Sequence, residues 1–204
     1  MNLTTFYIVR HGETDWNIVR RIQGHTDNDI NKTGELQAAK AAHNLSGIHI
    51  DLVYSSDLLR ARRTAEIIVA ERKLAVHTTQ ALRERLYGEF EGKLYDEVDA
   101  FYQKIMRAAD TNEEKQVRRE HGVEGDDEMM GRLITFIREV AVANPGKTVL
   151  MVSHGGIMRA LLVHLGCYDK ATATRVKIQN TGHIKLESDG VDFFVKDQVG
   201  VTAS

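Results

Sequence analysis

Cysteine is nearly absent. Cys167 is the one thiol in 204 residues, so neither an intramolecular disulfide nor a cysteine-built metal centre can form. That scarcity suits a reducing, cytoplasmic setting. Proline is equally rare, with Pro145 alone, and no Pro- or Ser-rich tract divides the chain. Nowhere do the ~18–20 consecutive apolar residues of a membrane span occur. Residues 1–10 hold a short apolar run without a basic lead-in, so no secretory signal is expected. An excess of one charge is missing too. The formal net charge is -2, which argues against binding nucleic acid or an anionic membrane through a strongly basic face. A basic pocket is still compatible with that sum. The histidines at 25, 43, 49, 77, 121, 164 and 183 show no metal-ligand spacing and read as surface or core residues, so no metal and no cofactor are expected.

Against these absences stand 42% hydrophobic and 27% charged residues, the balance of a soluble globular chain long enough for one full core. Residues 3–9 are β-branched and aromatic and run into His11-Gly12, which reads as a buried strand feeding a loop. From Thr33, taken as N-cap, Leu36, Ala39, Ala42 and Leu45 recur on one helical face. Residues 51–55 form a second strand, Leu58, Ala61, Ala65 and Ile68 mark a helix to about residue 73, and residues 74–78 a third strand. Residues 95–142 carry helical spacing without strands. There Met130, Leu133, Ile134, Ile137 and Val140 share a face whose start Asp126 or Asp127 can cap.

Asn144-Pro145-Gly146 breaks the pattern before an apolar strand at 148–152, a Ser153-His154-Gly155-Gly156 turn and a helix at 157–165. Strands follow at 175–179, 183–187 and 191–195, with Asp189-Gly190 as a two-residue hairpin turn. The alternation predicts an α/β fold: a three-layer α/β/α sandwich around a mostly parallel sheet with an antiparallel C-terminal edge. Residues 95–142 then form a helical cap insertion within a single domain, 1–204.

Three segments share one arrangement of apolar strand, polar turn and helix, and in parallel sheets such turns gather at the carboxyl ends of the strands, where ligands bind. Arg10 and His11, Ser55 and Arg60, and Ser153 and His154 can therefore converge, with Glu84 after the third strand. Two histidines, two arginines and a carboxylate suit phosphoryl transfer without a metal. A neutral imidazole is a competent nucleophile, and planar guanidinium groups match phosphate oxygens bidentately. A carboxylate can hold the proton that the departing oxygen requires. Glycines at 12, 155 and 156 let backbone N–H groups approach oxygen atoms closely.

The stretch from Phe6 through Arg10-His11-Gly12-Glu13-Thr14 resembles the signature of the histidine phosphatase superfamily, in its phosphoglycerate-mutase-like branch. The likeness continues through Trp16-Asn17, Gln23-Gly24, Leu36-Gln37-Ala38, Ser55-Ser56-Asp57-Leu58-Leu59-Arg60-Ala61 and Thr64-Ala65. It runs on through Leu82-Arg83-Glu84-Arg85-Leu86-Tyr87-Gly88, Glu91-Gly92, Ser153-His154-Gly155-Gly156 and Arg159-Ala160-Leu161, in family order. The resemblance implies that His11 attacks phosphorus and carries a phosphohistidine. Arg10, Arg60 and His154 would surround the phosphoryl oxygens, with Asn17, Gln23, Gly24 and Gly155 completing the pocket. Glu84 would protonate the leaving oxygen and then deprotonate the attacking water.

The implied activity is hydrolysis of a small-molecule phosphate ester. The same residues serve a phosphoglycerate mutase, which shields the phosphohistidine from water. The mutases resembled here have a longer, proline-rich insertion and an Asn where this chain has Gly156. An inactive module that only binds a phosphorylated ligand is a third reading, opposed by the presence of His11, Arg60 and Glu84.

Blander readings stand beside each residue. Arg60 could pair with Asp57, Glu84 with Arg83 or Arg85, and residues 124–128 could be a helix start rather than a substrate entrance. Specificity is expected from Tyr87, Phe90, Phe101, Tyr102 and Met106. The oligomeric state stays open.

Overall fold

The computed structural model describes residues 2–98 and 112–203. Its centre is a six-stranded sheet of β1 (Thr4–Arg10), β2 (Leu52–Ser56), β3 (Val76–Thr79), β4 (Thr148–Ser153), β5 (Val176–Ser188) and β6 (Phe193–Ala203). The spatial order is β3-β2-β4-β1-β5-β6. β1, β2, β3 and β4 pair in parallel, and β5 and β6 add antiparallel at one edge.

Side chains on the central strands alternate between two cores, as the period-two geometry of a strand requires. On one face Phe6, Ile8, Val149 and Met151 pack against Met129, Leu133 and Ile137 of α5 (Asp126–Ala143) and Ile157, Met158 and Leu161 of α6 (Gly155–His164). On the other, Val9, Leu150 and Val152 meet Ala41 of α2 (Lys32–Asn44) and Leu45 at its C-cap, and Ala61, Ala65 and Ile68 of α3 (Leu59–Val69). Three layers result. Each such Leu, Ile or Phe side chain contributes about 2 kcal/mol of transfer free energy. A short α1 (Asp15–Ile18) follows β1, and α4 (Asn112–Glu120) precedes α5.

Several local expectations are corrected. Asn31, not Thr33, caps α2, its Oδ1 accepting the Gly34 N–H at 2.9 Å. Asp126 and Asp127 lie inside the first turn of α5, where the helix dipole favours negative charge, and Gly125 is the cap. The expected 95–142 insertion divides, since α5 belongs to the layer packed on the sheet. A smaller cluster of Ile22, Tyr87, Phe90, Val98 and Val123 lies apart from it. The strands expected at 175–179 and 183–187 are one strand, β5, whose register shifts between Ile178 and His183. The Asp189-Gly190 turn is a four-residue loop, because Ser188 pairs with Phe193. In it Asp189 Oδ1 accepts the N–H groups of Val191 and Asp192 at 2.9 Å each. Among the described residues no helix is long and apolar enough to cross a membrane.

Candidate active site

Arg10 is in register with Ser153, and Ser55 with Val152, so the carboxyl ends of β1, β2 and β4 lie side by side. A cavity of about 580 Å³ opens there. Arg10, His11, Asn17, Gln23, Gly24, Arg60, Glu84 and Gly155 all line it, and His154 sits behind, fully buried, with its ring centroid 5.1 Å from that of His11. Chain segments far apart in sequence are thus brought to one place.

His11 continues the ladder beyond β1, its N–H donating to the Ser153 carbonyl at 2.9 Å. Its Nδ1 donates to the Gly12 carbonyl oxygen at 2.7 Å, which leaves the Nε2 lone pair unused. Burial and the neighbouring charges of Arg60 and Arg10 hold this imidazole well below the usual histidine range. His154 is lowered in the same way, by burial and then by Arg60, His11, Arg132 and Arg10. Both rings are neutral at neutral pH. The Gly12 N–H donates to Thr64 Oγ1 at 2.9 Å, and that hydroxyl donates to the Arg60 carbonyl at 2.7 Å, joining the His11-Gly12 loop to α3.

Arg60, in the first turn of α3, is completely buried. It does not pair with Asp57, which binds Arg83 instead at 2.6 Å. Nη1 donates to the Thr26 carbonyl at 2.9 Å and Asn28 Oδ1 at 3.1 Å, and Nη2 to the Gly24 carbonyl at 2.7 Å. Desolvation pushes its pKa down to about 10, which still leaves it charged. Arg10 Nη1 donates to the Ile178 carbonyl at 2.5 Å. Gly24 has φ +53°, and a β-carbon there would lie 2.1 Å from Glu91 Oε1, so a side chain at 24 would strain the loop whose carbonyl holds Arg60.

Glu84 pairs with neither Arg83 nor Arg85 by side chain. Its Oε2 accepts the Gly156 N–H at 2.8 Å, and its Oε1 accepts those of Ile157 at 3.0 Å and Arg85 at 2.8 Å. The carboxylate therefore rests on the N-terminus of α6, where the helix dipole favours negative charge.

Among the described residues, buried polar atoms without a hydrogen-bond partner include Arg10 Nε, Arg60 Nε, Gln23 Oε1 and both ring nitrogens of His154. Each such atom costs about 1–3 kcal/mol to bury unpaired. Their concentration around one cavity marks a site organised for a ligand rather than for stability. Of the charged residues described along the wall, Arg10, Arg20, Arg21, Arg60, Arg159 and Lys177 are cationic and Glu84 alone is a carboxylate. A basic pocket thus exists within a chain of net charge -2. No group of three or more His, Cys, Asp or Glu residues that could hold a metal ion occurs among the described residues.

Other candidates have supporting places. Ser55 donates to the Ser56 carbonyl at 2.8 Å and Ser153 to the Leu82 carbonyl at 2.8 Å; neither lines the cavity. Asn17 Oδ1 accepts the Thr14 N–H at 3.1 Å in the cap of α1, leaving its amide NH2 as the group open to a ligand. Tyr87 lines the cavity, whereas Phe90 is buried in the small cluster; Phe101, Tyr102 and Met106 lie outside the described residues. Sequence reasoning missed Asn180, whose Nδ2 donates to the His11 carbonyl at 3.0 Å. An asparagine followed by Thr181-Gly182 between two β-rich runs was the available signal, since such residues mark irregular strand backbone. His25, read as a surface or core residue, donates from Nε2 to the Glu84 carbonyl at 2.8 Å.

The family description of the histidine phosphatase superfamily (branch 1) matches residues 6–199. A broad-specificity phosphatase of Saccharomyces cerevisiae is 36% identical over 211 residues, covering 98% of this chain and 87% of the relative. Phosphoglycerate mutase-like protein 4 of Arabidopsis thaliana is 37% identical over 174 residues, covering 84% and 73%. Among solved structures, a mycobacterial glucosyl-3-phosphoglycerate phosphatase complexed with VO3 superposes with a TM-score of 0.81 at 26% identity, covering 97% of this chain and 99% of that one. The chain belongs to the histidine phosphatase superfamily, branch 1.

Proposed function

We propose that this chain is a single-domain, metal-independent phosphomonoester hydrolase that acts on a small phosphorylated metabolite through a phosphohistidine. A cytoplasmic setting fits its lone Cys167. The reading is carried by a neutral His11 whose Nδ1 is committed to Gly12 and whose ring lies among the unpaired Nε–H groups of two arginines.

Nε2 of His11 attacks phosphorus in line, forming the P–N bond as the P–O ester bond breaks. Arg10, Arg60 and His154 take the spread charge of the phosphoryl oxygens, each preorganised donor contributing about 3–4 kcal/mol to the transition state. Glu84, acting as general acid, supplies the proton that the leaving oxygen takes up. It then takes one from the water whose oxygen attacks phosphorus, and the P–N bond breaks to release inorganic phosphate. Asn17, Gln23, Gly24 and Gly155 shape the pocket around the ester.

The reading is tested by phosphate release from sugar phosphates, phosphoglycerates, nucleotides and an aryl phosphate, in excess EDTA, with His11→Ala as the blank. Hydrolysis that survives chelation and disappears in the variant supports it. Equal turnover by the variant sinks it. The relative named phosphoglycerate mutase-like keeps a second reading in play: phosphoryl exchange between phosphoglycerates outpacing hydrolysis would make this chain a mutase.

A further inference from the structure

The proposed mechanism leaves a part-buried polar cluster unused. Glu84 stands in irregular backbone between the 3₁₀ turns Gln80–Leu82 and Gly88–Phe90, so no helix or strand ladder fixes it. Side chains do so instead. Arg132, on α5, donates from Nη1 to the carbonyl oxygens of Ala81 at 2.9 Å and Arg83 at 2.8 Å, and from Nη2 to that of Glu84 itself at 3.0 Å. Ser153 and His25 bind the carbonyls of Leu82 and Glu84 from other directions, each at 2.8 Å.

The opposite edge of the Arg132 fork meets Glu124 bidentately, Nε to Oε1 at 2.7 Å and Nη2 to Oε2 at 2.8 Å. The side chains are only 22% and 13% exposed, so the pair is sheltered from water and salt. Glu124 also grips the chain beyond Glu84. Its N–H donates to the Leu86 carbonyl at 2.9 Å, and its own carbonyl accepts from Arg85 Nη1 at 2.6 Å. The acidic run at 124–128 is thus partly a helix start and partly a clasp on the Glu84 segment.

We infer that Arg132, locked by Glu124, is a positioning residue that sets the backbone of Glu84 so that its carboxyl group reaches the leaving oxygen. This rests on Glu84 being the proton donor. A donor must come within about 2.6–3.2 Å of the atom it protonates. A planar group with five N–H donors can hold three carbonyls and a carboxylate together, which a lysine cannot.

The test is kcat/KM for a series of substituted phenyl phosphates. p-Nitrophenolate departs without a proton, whereas phenolate needs one, so the slope against leaving-group acidity reports proton donation. Glu84→Gln should slow phenyl phosphate by about a hundredfold and p-nitrophenyl phosphate far less. Arg132→Met should show the same selective pattern at about tenfold, Glu124→Gln a weaker version, and Arg132→Lys an intermediate slope. Circular dichroism and thermal melting check each variant. Should Arg132→Met not fold, Arg132→Lys and Glu124→Gln carry the test. A uniform loss across the series, or none, overturns the role of Arg132. If Glu84→Gln itself lacks the selective loss, the proton-donor reading fails and this inference with it; if only the Arg132 and Glu124 variants lack it, the inference alone falls.

Discussion

Gly156 donates its N–H to Glu84 Oε2 at 2.8 Å, and that carboxylate fits because Gly156 has no β-carbon. A methyl group there would lie 2.5 Å from Glu84 Oε1. Gly156→Ala should therefore lower phosphate release from an alkyl phosphate by roughly tenfold or more, since small misplacements of catalytic groups are costly. Stability should move the other way or not at all, because alanine favours a helix by about 1 kcal/mol over glycine. Urea unfolding beside rate measurement checks both halves. An alanine variant as active as the parent would show that the carboxylate needs no such seat.

The Nδ1–H bond of His11 to Gly12 predicts which atom becomes phosphorylated. Brief mixing with 32P-labelled substrate followed by denaturation should leave label on Nε2 of His11 and none on His11→Ala, whose turnover should fall by about 10⁴-fold or more. Label that persists in the variant would place the nucleophile elsewhere.

Arg60 holds three loop acceptors while facing the cavity, so its loss should damage fold and rate together. Arg60→Lys keeps the charge but not the fork. It should lower kcat by about a hundredfold and stability by about 2 kcal/mol. A lysine variant with wild-type kcat would reduce Arg60 to a point charge.

Burial and the charges of Arg60 and Arg10 lower the pKa values of His11 and His154 below the usual 6.5. Between that value and the depressed native ones, the unfolded chain binds protons that the folded chain refuses. Stability should then decline as pH falls below about 6.5, by on the order of 1 kcal/mol per pH unit for each histidine. Urea midpoints at about pH 7.5, 6.5 and 5.5 should show a shallower decline in His154→Gln than in the parent chain. Identical slopes would mean that His154 titrates normally.

The central sheet was legible because its signals are local. Residues 3–9 and 148–152 are apolar runs of strand length, and burial on both faces makes such runs continuous rather than alternating. The convergence of His11, Arg60, Glu84 and His154 was legible because each follows a strand whose carboxyl end must face the same crevice. What escaped is what depends on distance. The junction at Asn180-Thr181-Gly182 breaks the strand pattern in sequence, yet pairing with β6 on both sides of it carries β5 across as an irregular register. Arg132 looked like any polar residue opposite an apolar helical face. Only packing brings it to the carbonyls of Ala81, Arg83 and Glu84, and no spacing in the chain encodes that meeting.

Thr64 links the Gly12 amide to the Arg60 carbonyl through a single hydroxyl. The His11-Gly12 loop and Arg60 are thereby hinged to the same turn of α3, and neither can drift without pulling on the other. Loss of activity on warming should be abrupt and should coincide with slow-exchanging amides of that helix opening to deuterium, rather than creeping in as separate loops loosen.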